Sequence, residues 1–460
     1  MGMIGKCGWR GAAVAALMGC LGGLNAARAG EAVLERAAAQ VSAVSAGGRL
    51  AVERTECYYP LLKGKKVGVV ANHASVFYKR PPGTGAFSSA ADFQADCDGM
   101  ENAPVPPYIH LVDSLLADGV AVVRLFSPEH GLRGEAEAGA HVKDGTDALT
   151  GLPVVSLYGA HKKPTSEDLA GLDILLFDLQ DVGLRFYTYI STLHYVMEAC
   201  AEAGLPLVVI DRPNPHIGAI DGPLLDTACC RSFIGMHPVP VLYGLTIGEY
   251  ARMIQGEGWL KPANGDTCVL TVIPMAGYTR RTPYALPLPP SPNLRSQTAV
   301  MAYPSLCLFE GTPVSVGRGT DRPFACYGFA ESPVGGYRFR PVSMPGKAAD
   351  PPYRDRDCRG YEARQAAGWL TDDGLISAAR PAADVASFHP LYLNLQPLLT
   401  MYKAYPDSAR FFTKFFRKLA GNTDLETQIR AGWSEERIRA GWQPALEAYR
   451  RRAERYYLYE

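Results

Sequence analysis

Short apolar runs alternate with helix-forming segments between residues 66 and 255. The apolar runs are rich in Val, Ile and Leu, which is typical of strands buried on both faces of a sheet. Strands that alternate with helices predict βαβ units and a mostly parallel sheet, so this part of the chain is restricted to an α/β fold. The predicted strands are residues 66–71, 120–126, 154–158, 174–179 and 207–210, and the predicted helices are residues 110–117, 166–170, 191–203 and 246–255.

The character of the sequence changes beyond Gly256. Prolines cluster in residues 282–292, the predicted strands become short, and residues 442–457 have the pattern of an amphipathic helix. We therefore predict two domains: the α/β domain covers residues 48–258, and a smaller α+β domain covers residues 259–460.

Residues 1–29 have the pattern of a secretory signal. Two basic residues precede a small apolar stretch at residues 11–24, and residues 27–29 form an A-x-A cleavage site. We therefore expect export to the periplasm or the extracellular space. Residues 17–20 loosely resemble a lipoprotein cleavage box, but the apolar stretch before them is short, so lipoprotein anchoring ranks lower. No other stretch reaches the roughly 18 apolar residues that a membrane span needs.

The charge balance argues against nucleic acid as a partner. The whole chain has 46 basic and 46 acidic residues, and the predicted signal contains three of the basic ones and none of the acidic ones. A nearly neutral chain without a basic block lacks the electrostatic footprint of a nucleic-acid-binding protein. Oligomeric state is not predicted.

The cysteines do not have the spacing of a zinc ribbon. Eleven are present, two of them in the predicted signal, and none forms a C-x-x-C pair. Cys57 and Cys97 flank a loop-rich segment and are one conceivable disulfide pair. That segment contains a long insertion, residues 78–107, which exceeds an ordinary connection between elements.

Polar residues follow several of the predicted strands directly. The strand ending at Phe126 runs into a loop with Glu129, and the strand of residues 174–179 runs into Asp178 and Asp181. Ligands bind beyond the carboxyl ends of parallel strands, so we expect these side chains to share one site. The candidates at this edge are Asn72, Glu129, His130, Arg133, Asp178, Gln180, Asp181, Arg185, Tyr187, Tyr189, Asp211, Arg212 and Asn214.

Structural readings of the same residues stay open at this stage. Asp211 could cap a helix, Arg185 could pair with Asp181, and the tyrosines could be core residues with satisfied hydroxyls. Glu129 suits general acid chemistry, because an apolar environment allows a carboxyl group to hold a proton at neutral pH. His130 could orient Glu129, bind substrate or be a satisfied loop residue.

The second domain has a polar cluster of its own. Residues 310–320 contain Glu310, Arg318 and three glycines, which allow the backbone to approach a ligand or to turn tightly. Arg318 offers a planar fork for a carboxylate, although a glycine-rich hairpin with Arg318 in an ion pair explains the pattern equally well. Asn293, after a proline-rich run, is expected at the domain junction.

Three other chemistries lack their sequence signatures. The first strand is not followed by G-x-G-x-x-G, so a dinucleotide site is not predicted. No G-x-S-x-G marks a nucleophilic serine. Metal ligation by Glu129, His130, Asp178 and Asp181 lacks H-E-x-x-H or a comparable spacing. We therefore predict neither a cofactor nor a metal.

Five motifs together resemble the exo-β-N-acetylmuramidases of the NamZ type. They are Pro-Glu-His-Gly-Leu-Arg-Gly at residues 128–134, Asp-x-Gln-Asp-x-Gly-x-Arg-x-Tyr-Thr-Tyr at 178–189, Asp-Arg-Pro-Asn-Pro at 211–215, Pro-Ser-Pro-Asn at 290–293 and the cluster at 310–320. The resemblance covers most of residues 60–445. Pro313, residues 294–296, the segment after Phe324 and the insertion depart from the family pattern, and we expect these departures at the substrate rim.

The resemblance implies a Rossmann-like domain joined to a second domain, with the active-site cleft between them. It also implies exo-hydrolysis of β-1,4-linked N-acetylmuramic acid from the non-reducing ends of peptidoglycan fragments, with a peptidoglycan-derived muropeptide or sugar as the partner. The catalytic glutamate of the family corresponds to Glu129.

On this reading Glu129 protonates the departing oxygen, and a second group acts from the other face of the sugar. That group is Asp178, Asp181 or Asp211, or the acetamido group of the substrate. The rival readings are a non-catalytic muropeptide-binding protein and a metal-dependent hydrolase. We assign catalytic roles to Glu129, His130, Asp178 and Asp181, and substrate binding to Asn72, Arg133, Gln180, Arg185, Tyr187, Tyr189, Asp211, Arg212, Asn214, Asn293, Glu310 and Arg318, with Arg185, Tyr187 and Arg318 on the sugar and its lactyl carboxylate.

Overall fold

A seven-stranded sheet forms the centre of the first half of the chain. The computed structural model describes residues 48–78, 108–133, 144–368, 371, 376–379 and 384–460. The predicted signal, Cys97 and nearly all of the long insertion lie outside these residues, so they stay predictions. The eight cysteines that are described are all free thiols.

The strands of the central sheet are β1 (Val67–Ala71), β4 (Val122–Ser127), β5 (Gly145–Thr146), β6 (Pro153–Ser156), β7 (Ile174–Asp178), β8 (Leu207–Ile210) and β11 (Leu270–Ile273). Two short antiparallel pairs lie outside it, β2 (Val76–Tyr78) with β3 (Tyr108–His110) and β9 (Ile220–Asp221) with β10 (Leu242–Tyr243). The central strands run in the order β11-β8-β7-β1-β4-β6-β5. All neighbouring pairs are parallel except β5 with β6, which is antiparallel at one edge.

Without its antiparallel edge strand, this order is that of a Rossmann fold. The chain builds outward from β1 through β4 to β6, then returns to the other side of β1 and continues through β7, β8 and β11. The order therefore reverses at β1, and the crevice beyond the carboxyl ends of β1, β4 and β7 is where such folds bind ligands. The predicted fold class is confirmed.

The four helices predicted in the first half are present, with ends that agree to within about two residues. The helices at residues 55–62 and 227–230 were not predicted. α6 starts after Thr246, whose hydroxyl accepts from the backbone N–H of Glu249, and the Glu249 carboxylate accepts from the N–H of Thr246 in return. The helices are α1 (Thr55–Leu62), α2 (Leu111–Ala117), α3 (Ser166–Leu169), α4 (Tyr189–Ala203), α5 (Thr227–Cys230) and α6 (Ile247–Gly256).

The second half combines small sheets with helices. A three-stranded antiparallel sheet has the order β12-β14-β13, and β15 pairs with β16. The described strands and helices of the second half are β12 (Cys326–Ala330), β13 (Tyr337–Phe339), β14 (Cys358–Glu362), β15 (Arg364–Gln365), β16 (Ser387–Phe388), α7 (Gln297–Leu306), α8 (Gln396–Ala404), α9 (Lys414–Ala420), α10 (Asp424–Arg430) and α11 (Glu435–Ala453).

The helix predicted at residues 442–457 begins seven residues earlier, as α11. Ser434 caps its N-terminus, because the hydroxyl accepts from the backbone N–H of Arg437, and Glu435 and Glu436 occupy the first turn. No helix within the described ranges is long and apolar enough to cross a membrane.

One apolar core connects the two halves. It runs from Leu50 to Tyr459 through both groups of elements without a break. The parallel sheet also continues past the predicted boundary at residue 258, because β11 pairs with β8. The boundary itself stays a prediction, and the two halves share more of their interior than the sequence suggests.

A buried ion pair joins the ends of two neighbouring strands. Asp178 is the last residue of β7, and Arg212 follows β8. The Arg212 guanidinium donates to both oxygens of the Asp178 carboxylate, at 2.6 and 2.7 Å, and a third bond reaches the carbonyl of Val76 at 2.7 Å. Both side chains are almost completely excluded from solvent. The free-energy cost of burying these two charges is offset because each charge neutralises and hydrogen-bonds the other.

We expect Arg212→Met to lower the free energy of unfolding by about 3–5 kcal/mol, because it leaves the Asp178 carboxylate buried without a partner. The double variant Asp178→Leu/Arg212→Met removes both charges and should recover part of this loss. Denaturant unfolding followed by circular dichroism measures both. The control is Arg340→Met, which removes one partner of an exposed ion pair with Asp357 and should cost no more than about 1 kcal/mol. Equal losses in the single and double variants would contradict this explanation.

Candidate functional site

A cavity of about 530 Å³ lies beyond the carboxyl ends of β4 and β7 and is closed by residues of the second half. The first half supplies residues from the loops after β4, β6 and β7. The second half supplies residues from α7, from the segment that follows it and from α9. The lining residues are Glu129, His130, Tyr158, Phe186, Tyr187, Thr188, Ile234, Ser291, Leu294, Tyr303, Cys307, Glu310, Arg318, Phe324, Lys347, Ala348, Ala349, Asp350, Pro351, Pro352, Phe415 and Leu419.

A tight turn after β4 presents Glu129 to this cavity. His130 and Gly131 both adopt left-handed backbone conformations, with φ of 74° and 76°, and the N–H of Gly131 bonds to the carbonyl of Pro128. Left-handed backbone is unusual for histidine, and such residues occur often at functional sites. His130 is buried, whereas Glu129 is half-buried.

Two hydroxyl groups hold the Glu129 carboxyl group. The Thr188 hydroxyl donates to Glu129 Oε2 at 2.7 Å, and the Tyr158 phenol also hydrogen-bonds to Glu129. Burial is the main reason that the pKa of Tyr158 is raised, and the nearby Glu129 raises it further, so this phenol keeps its proton. Since hydroxyl groups both donate and accept, the same two partners can serve Glu129 with or without a proton.

An ion pair forms part of the wall that the second half contributes. Arg318 Nε donates to Glu310 Oε1 at 2.6 Å, and the guanidinium lies 5.0 Å from the centroid of the Phe324 ring. The thiol of Cys307 approaches Glu310 Oε2 at 3.7 Å. The ion pair expected as the structural explanation of this cluster is present, and both of its members line the cavity.

Tyr187 joins the two walls. Its hydroxyl donates to the carbonyl of Pro290 at 2.7 Å, and its ring packs edge-on against Tyr303. Tyr303 also contacts the rings of Phe186 and Phe324. The cavity therefore has an aromatic side built from both halves. Its polar groups lie around Glu129 on one wall and around Glu310 on the other.

Asn293 lies next to the cavity and holds its rim. The side-chain amide donates to the carbonyl of Lys347 at 2.8 Å. This contact fixes the segment of residues 347–352, which lines one side of the cavity. The expected position of Asn293 at the domain junction stays a prediction, because this bond joins two residues of the second half.

Several predicted binding residues do not line the cavity. The Asn72 amide donates to the Tyr189 hydroxyl at 2.7 Å, and both residues are buried. Arg133 forms a two-point bond with Asp147, at 2.9 and 2.7 Å. Their predicted roles remain predictions, and the structure supplies each with a structural partner.

Arg185 is buried and holds the second half against the first. Its guanidinium donates to four backbone carbonyls and to no carboxylate among the described residues. Two of these carbonyls belong to Leu419 and Ala420 at the end of α9. Burial lowers the pKa of Arg185 to about 10. The alternative pair with Asp181 is not observed among the described residues, and the predicted contact of Arg185 with the sugar stays a prediction.

The remaining candidates at this edge serve the fold in the structure. Asp178 and Arg212 form the buried pair described above. Gln180 donates to the carbonyls of Asp181 and Pro213, and Asn214 donates to the carbonyl of Leu245. Asp211 accepts from Thr246 and from the N–H of Gly248 at the start of α6, and from Tyr459, whose hydroxyl lies 2.5 Å away. The helix-cap alternative for Asp211 therefore fits.

Other cavity residues had not been predicted. Thr188 and Phe186 lie inside the motif of residues 178–189, so their position in the chain could have suggested them. Tyr158 is the last residue of a predicted strand, so attention to strand ends could have suggested it. Lys347 gives no such signal, because it lies in a loop whose course depends on its bond to Asn293.

No group of three or more His, Cys, Asp or Glu side chains in the described residues has an arrangement that could hold a metal ion. The four residues considered for metal ligation are accordingly separated. Glu129 and His130 line the cavity, whereas Asp178 pairs with Arg212 and Asp181 is buried beside Tyr243.

Two family models match consecutive parts of this chain. The model for the N-terminal part of exo-β-N-acetylmuramidase NamZ matches residues 103–298, and the model for its C-terminal part matches residues 301–459. Together they cover most of the chain.

Similar proteins extend this result. The peptidoglycan β-N-acetylmuramidase NamZ of Bacillus subtilis strain 168 is 35% identical over 421 residues, which are 87% of this chain and 89% of that protein. Two crystal structures of DUF1343 family proteins from Bacteroides fragilis have the same fold. One has a TM-score of 0.71 at 35% identity, the other has 0.68 at 26% identity, and each comparison covers 90% of this chain and 99% of the other.

Asp181 has an unusual environment for a carboxyl group. Its Oδ2 accepts from the Tyr243 hydroxyl and from the N–H of Gly183, whereas its Oδ1 is buried and has no hydrogen-bond partner among the described residues. Burial raises the pKa of Asp181 to about 6, from an ordinary value of 3.8, although the Tyr243 hydroxyl and the backbone N–H groups of Gly183 and Val182 act in the opposite direction. The unpartnered Oδ1 is therefore the natural position for a proton.

We expect Asp181→Asn to flatten the dependence of stability on pH. Between about pH 4 and pH 6 the folded state holds a proton on Asp181 that the unfolded state has lost, so this contribution is complete below about pH 4 and disappears as the pH rises through about 6. A shift of about two pKa units corresponds to roughly 3 kcal/mol. Denaturant unfolding at several pH values measures it. Parallel pH profiles of the wild type and the variant would contradict this assignment.

Proposed function

This chain belongs to the NamZ family of exo-β-N-acetylmuramidases, and we infer that it is a peptidoglycan glycosidase that removes N-acetylmuramic acid from non-reducing ends. The two family matches span both halves, and both halves line the cavity. The Bacillus subtilis relative covers most of the chain and carries the name of this activity. Its substrate class is what we propose for this protein.

The position of Glu129 is the observation that supports this function most strongly. Glycoside hydrolysis needs a carboxyl group that protonates the departing oxygen. Glu129 lies at the carboxyl end of a central strand, lines the cavity and is held by two hydroxyl groups. We assign it the role of general acid. His130, which adopts a left-handed conformation beside it, fixes the turn and lines the same wall.

The residues that line the cavity also reduce the number of candidates for the second catalytic group. The transition state resembles an oxocarbenium ion, so a group on the other face of the sugar must stabilise it, attack it or activate water. Asp178, Asp181 and Asp211 each have a structural partner and do not line the cavity. Apart from Glu129, the carboxylates in the described lining are Glu310 and Asp350. We propose that either Glu310 or the acetamido group of the substrate fills this role.

We further propose that the protein is exported. The support is the pattern of residues 1–29, with a basic start, a short apolar stretch and a small-residue cleavage site. Peptidoglycan lies outside the cytoplasmic membrane, so export brings the enzyme to its proposed substrate.

The export proposal predicts that the mature protein starts at residue 30. Expression of the full chain in a bacterial host, followed by cell fractionation and N-terminal sequencing, measures this. A protein that stays in the cytoplasm with residues 1–29 attached would contradict it. A processed protein that stays with the membrane fraction would favour the lipoprotein alternative.

We expect Glu129→Gln to abolish most of the turnover of a chromogenic β-N-acetylmuraminide, with a loss on the order of 10²- to 10⁴-fold in kcat. The amide keeps the size of the side chain and can still bond to Thr188 and Tyr158, but it cannot supply the proton. The matched control is Glu167→Gln on the exposed side of α3, which should leave turnover unchanged.

Full activity of Glu129→Gln would contradict the role of Glu129. Calorimetry distinguishes the glycosidase from a non-catalytic binding protein. A binding protein would bind the sugar as the wild type but would form no product. The configuration of the first-formed anomer, followed by NMR, then separates retention from inversion. Loss of activity in Glu310→Gln would favour Glu310 over the acetamido group as the second group.

A further inference from the structure

The charged residues that line the cavity are not equivalent. Apart from His130, the described lining contains three carboxylates and two cations. Arg318 and Glu310 form an ion pair at 2.6 Å, so they neutralise each other. The charges that remain are those of Glu129, Lys347 and Asp350, and Asp350 is exposed at the rim.

Lys347 is the cation of this set without a protein counter-ion. Lys347 is half-buried and belongs to the lining of the cavity, and its ammonium forms no ion pair or hydrogen bond with any residue that the structure describes. The ammonium group offers three donors, all of which are available to a ligand. An ammonium at the edge of a cavity gains more from an anionic ligand than a cation that already has a partner.

The backbone around Lys347 is fixed. Asn293 donates to the Lys347 carbonyl, and the N–H of Lys347 bonds to the carbonyl of Met344 at 3.0 Å. Met344 and Ala348 exchange two further backbone bonds, at 2.9 and 2.7 Å. The free ammonium therefore extends from an ordered turn, which lowers the entropy lost when it binds a ligand.

We propose that Lys347 is the specificity-determining residue that binds the lactyl carboxylate of N-acetylmuramic acid, an inference that rests on the glycosidase function proposed above. N-acetylmuramic acid differs from N-acetylglucosamine by a lactyl ether, which carries a carboxylate. A site that selects the first sugar therefore needs a cation that is not already neutralised. Lys347 meets this requirement within the cavity.

The arginines considered earlier fit this role less well. Arg185 is buried and bonded to four carbonyls, and Arg133 is bonded to Asp147. Arg318 does line the cavity, but its pair with Glu310 makes it part of the wall. Removal of Arg318 would release Glu310 and disturb any sugar, whereas removal of Lys347 should affect only a sugar with a carboxylate.

The test compares two chromogenic substrates, a β-N-acetylmuraminide and the corresponding β-N-acetylglucosaminide, on the full-length mature protein. We expect Lys347→Met to lower kcat/KM for the muraminide by on the order of tenfold to a hundredfold, the range for a hydrogen bond to a charged group, mainly through KM. Any slow turnover of the glucosaminide should stay unchanged. Lys347→Arg should recover part of the preference, and Lys403→Met, which removes an exposed lysine of α8, should change neither substrate.

Binding is measured on the same variants by calorimetry, with free N-acetylmuramic acid and free N-acetylglucosamine as ligands. If Lys347→Met keeps the wild-type preference for the muramic sugar in both turnover and binding, the role of Lys347 is overturned while the glycosidase function stands. If the wild type binds the muramic sugar more tightly, turns over neither substrate and loses its preference in Lys347→Met, the inference stands and the hydrolase function fails. If the wild type neither turns over nor prefers the muramic sugar, both are overturned.

Discussion

A buried guanidinium is a central tie between the two halves of this protein. Arg185 follows β7 in the first half, and two of its four carbonyl partners are at the end of α9 in the second half. A buried cation without a carboxylate is costly unless its donors find acceptors, so the four carbonyls must stay in place around its two Nη atoms, while Nε has no partner among the described residues. Even a methyl group at Gly421 would come within 2.5 Å of this guanidinium. The position of α9 relative to the central sheet is therefore tightly restricted.

The cavity depends on this restriction. Phe415 and Leu419 of α9 line it, while Glu129 and Thr188 line it from the first half. Leu419 has both functions, because its carbonyl bonds to Arg185 and its side chain belongs to the lining. The Tyr187 hydroxyl makes a second tie between the halves, at Pro290. Within the motif of residues 178–189, Arg185 stabilises the fold and Thr188 lines the cavity. Structural residues and cavity-lining residues are therefore close neighbours in the sequence.

Because structural and cavity-lining residues are neighbours in the sequence, sequence analysis could identify only part of the site. Five of the seven strands of the central sheet and the loop that carries Glu129 were predictable, because apolar runs and a proline stop are local signals. The short edge strand β5 and the strand β11 were not predicted. Arg185 and Asp178 looked like site residues because they are polar and follow a strand. Their partners, at Leu419 and Arg212, are distant in sequence and cannot be read from a local pattern. The same holds for Lys347, whose place in the cavity depends on Asn293.

The long-range ties also bear on how the chain folds during its synthesis. Asp211 at the end of β8 bonds to Tyr459, and Asp221 bonds to Arg439, so polar groups of the Rossmann-like half have partners more than 200 residues later. Contacts of such sequence separation form slowly, because the closure of a long loop costs entropy before the contact stabilises it. The Rossmann-like half therefore leaves the ribosome well before its interior can be completed. The export proposed above would benefit from this delay, because the growing chain would stay open until nearly all of it has been made.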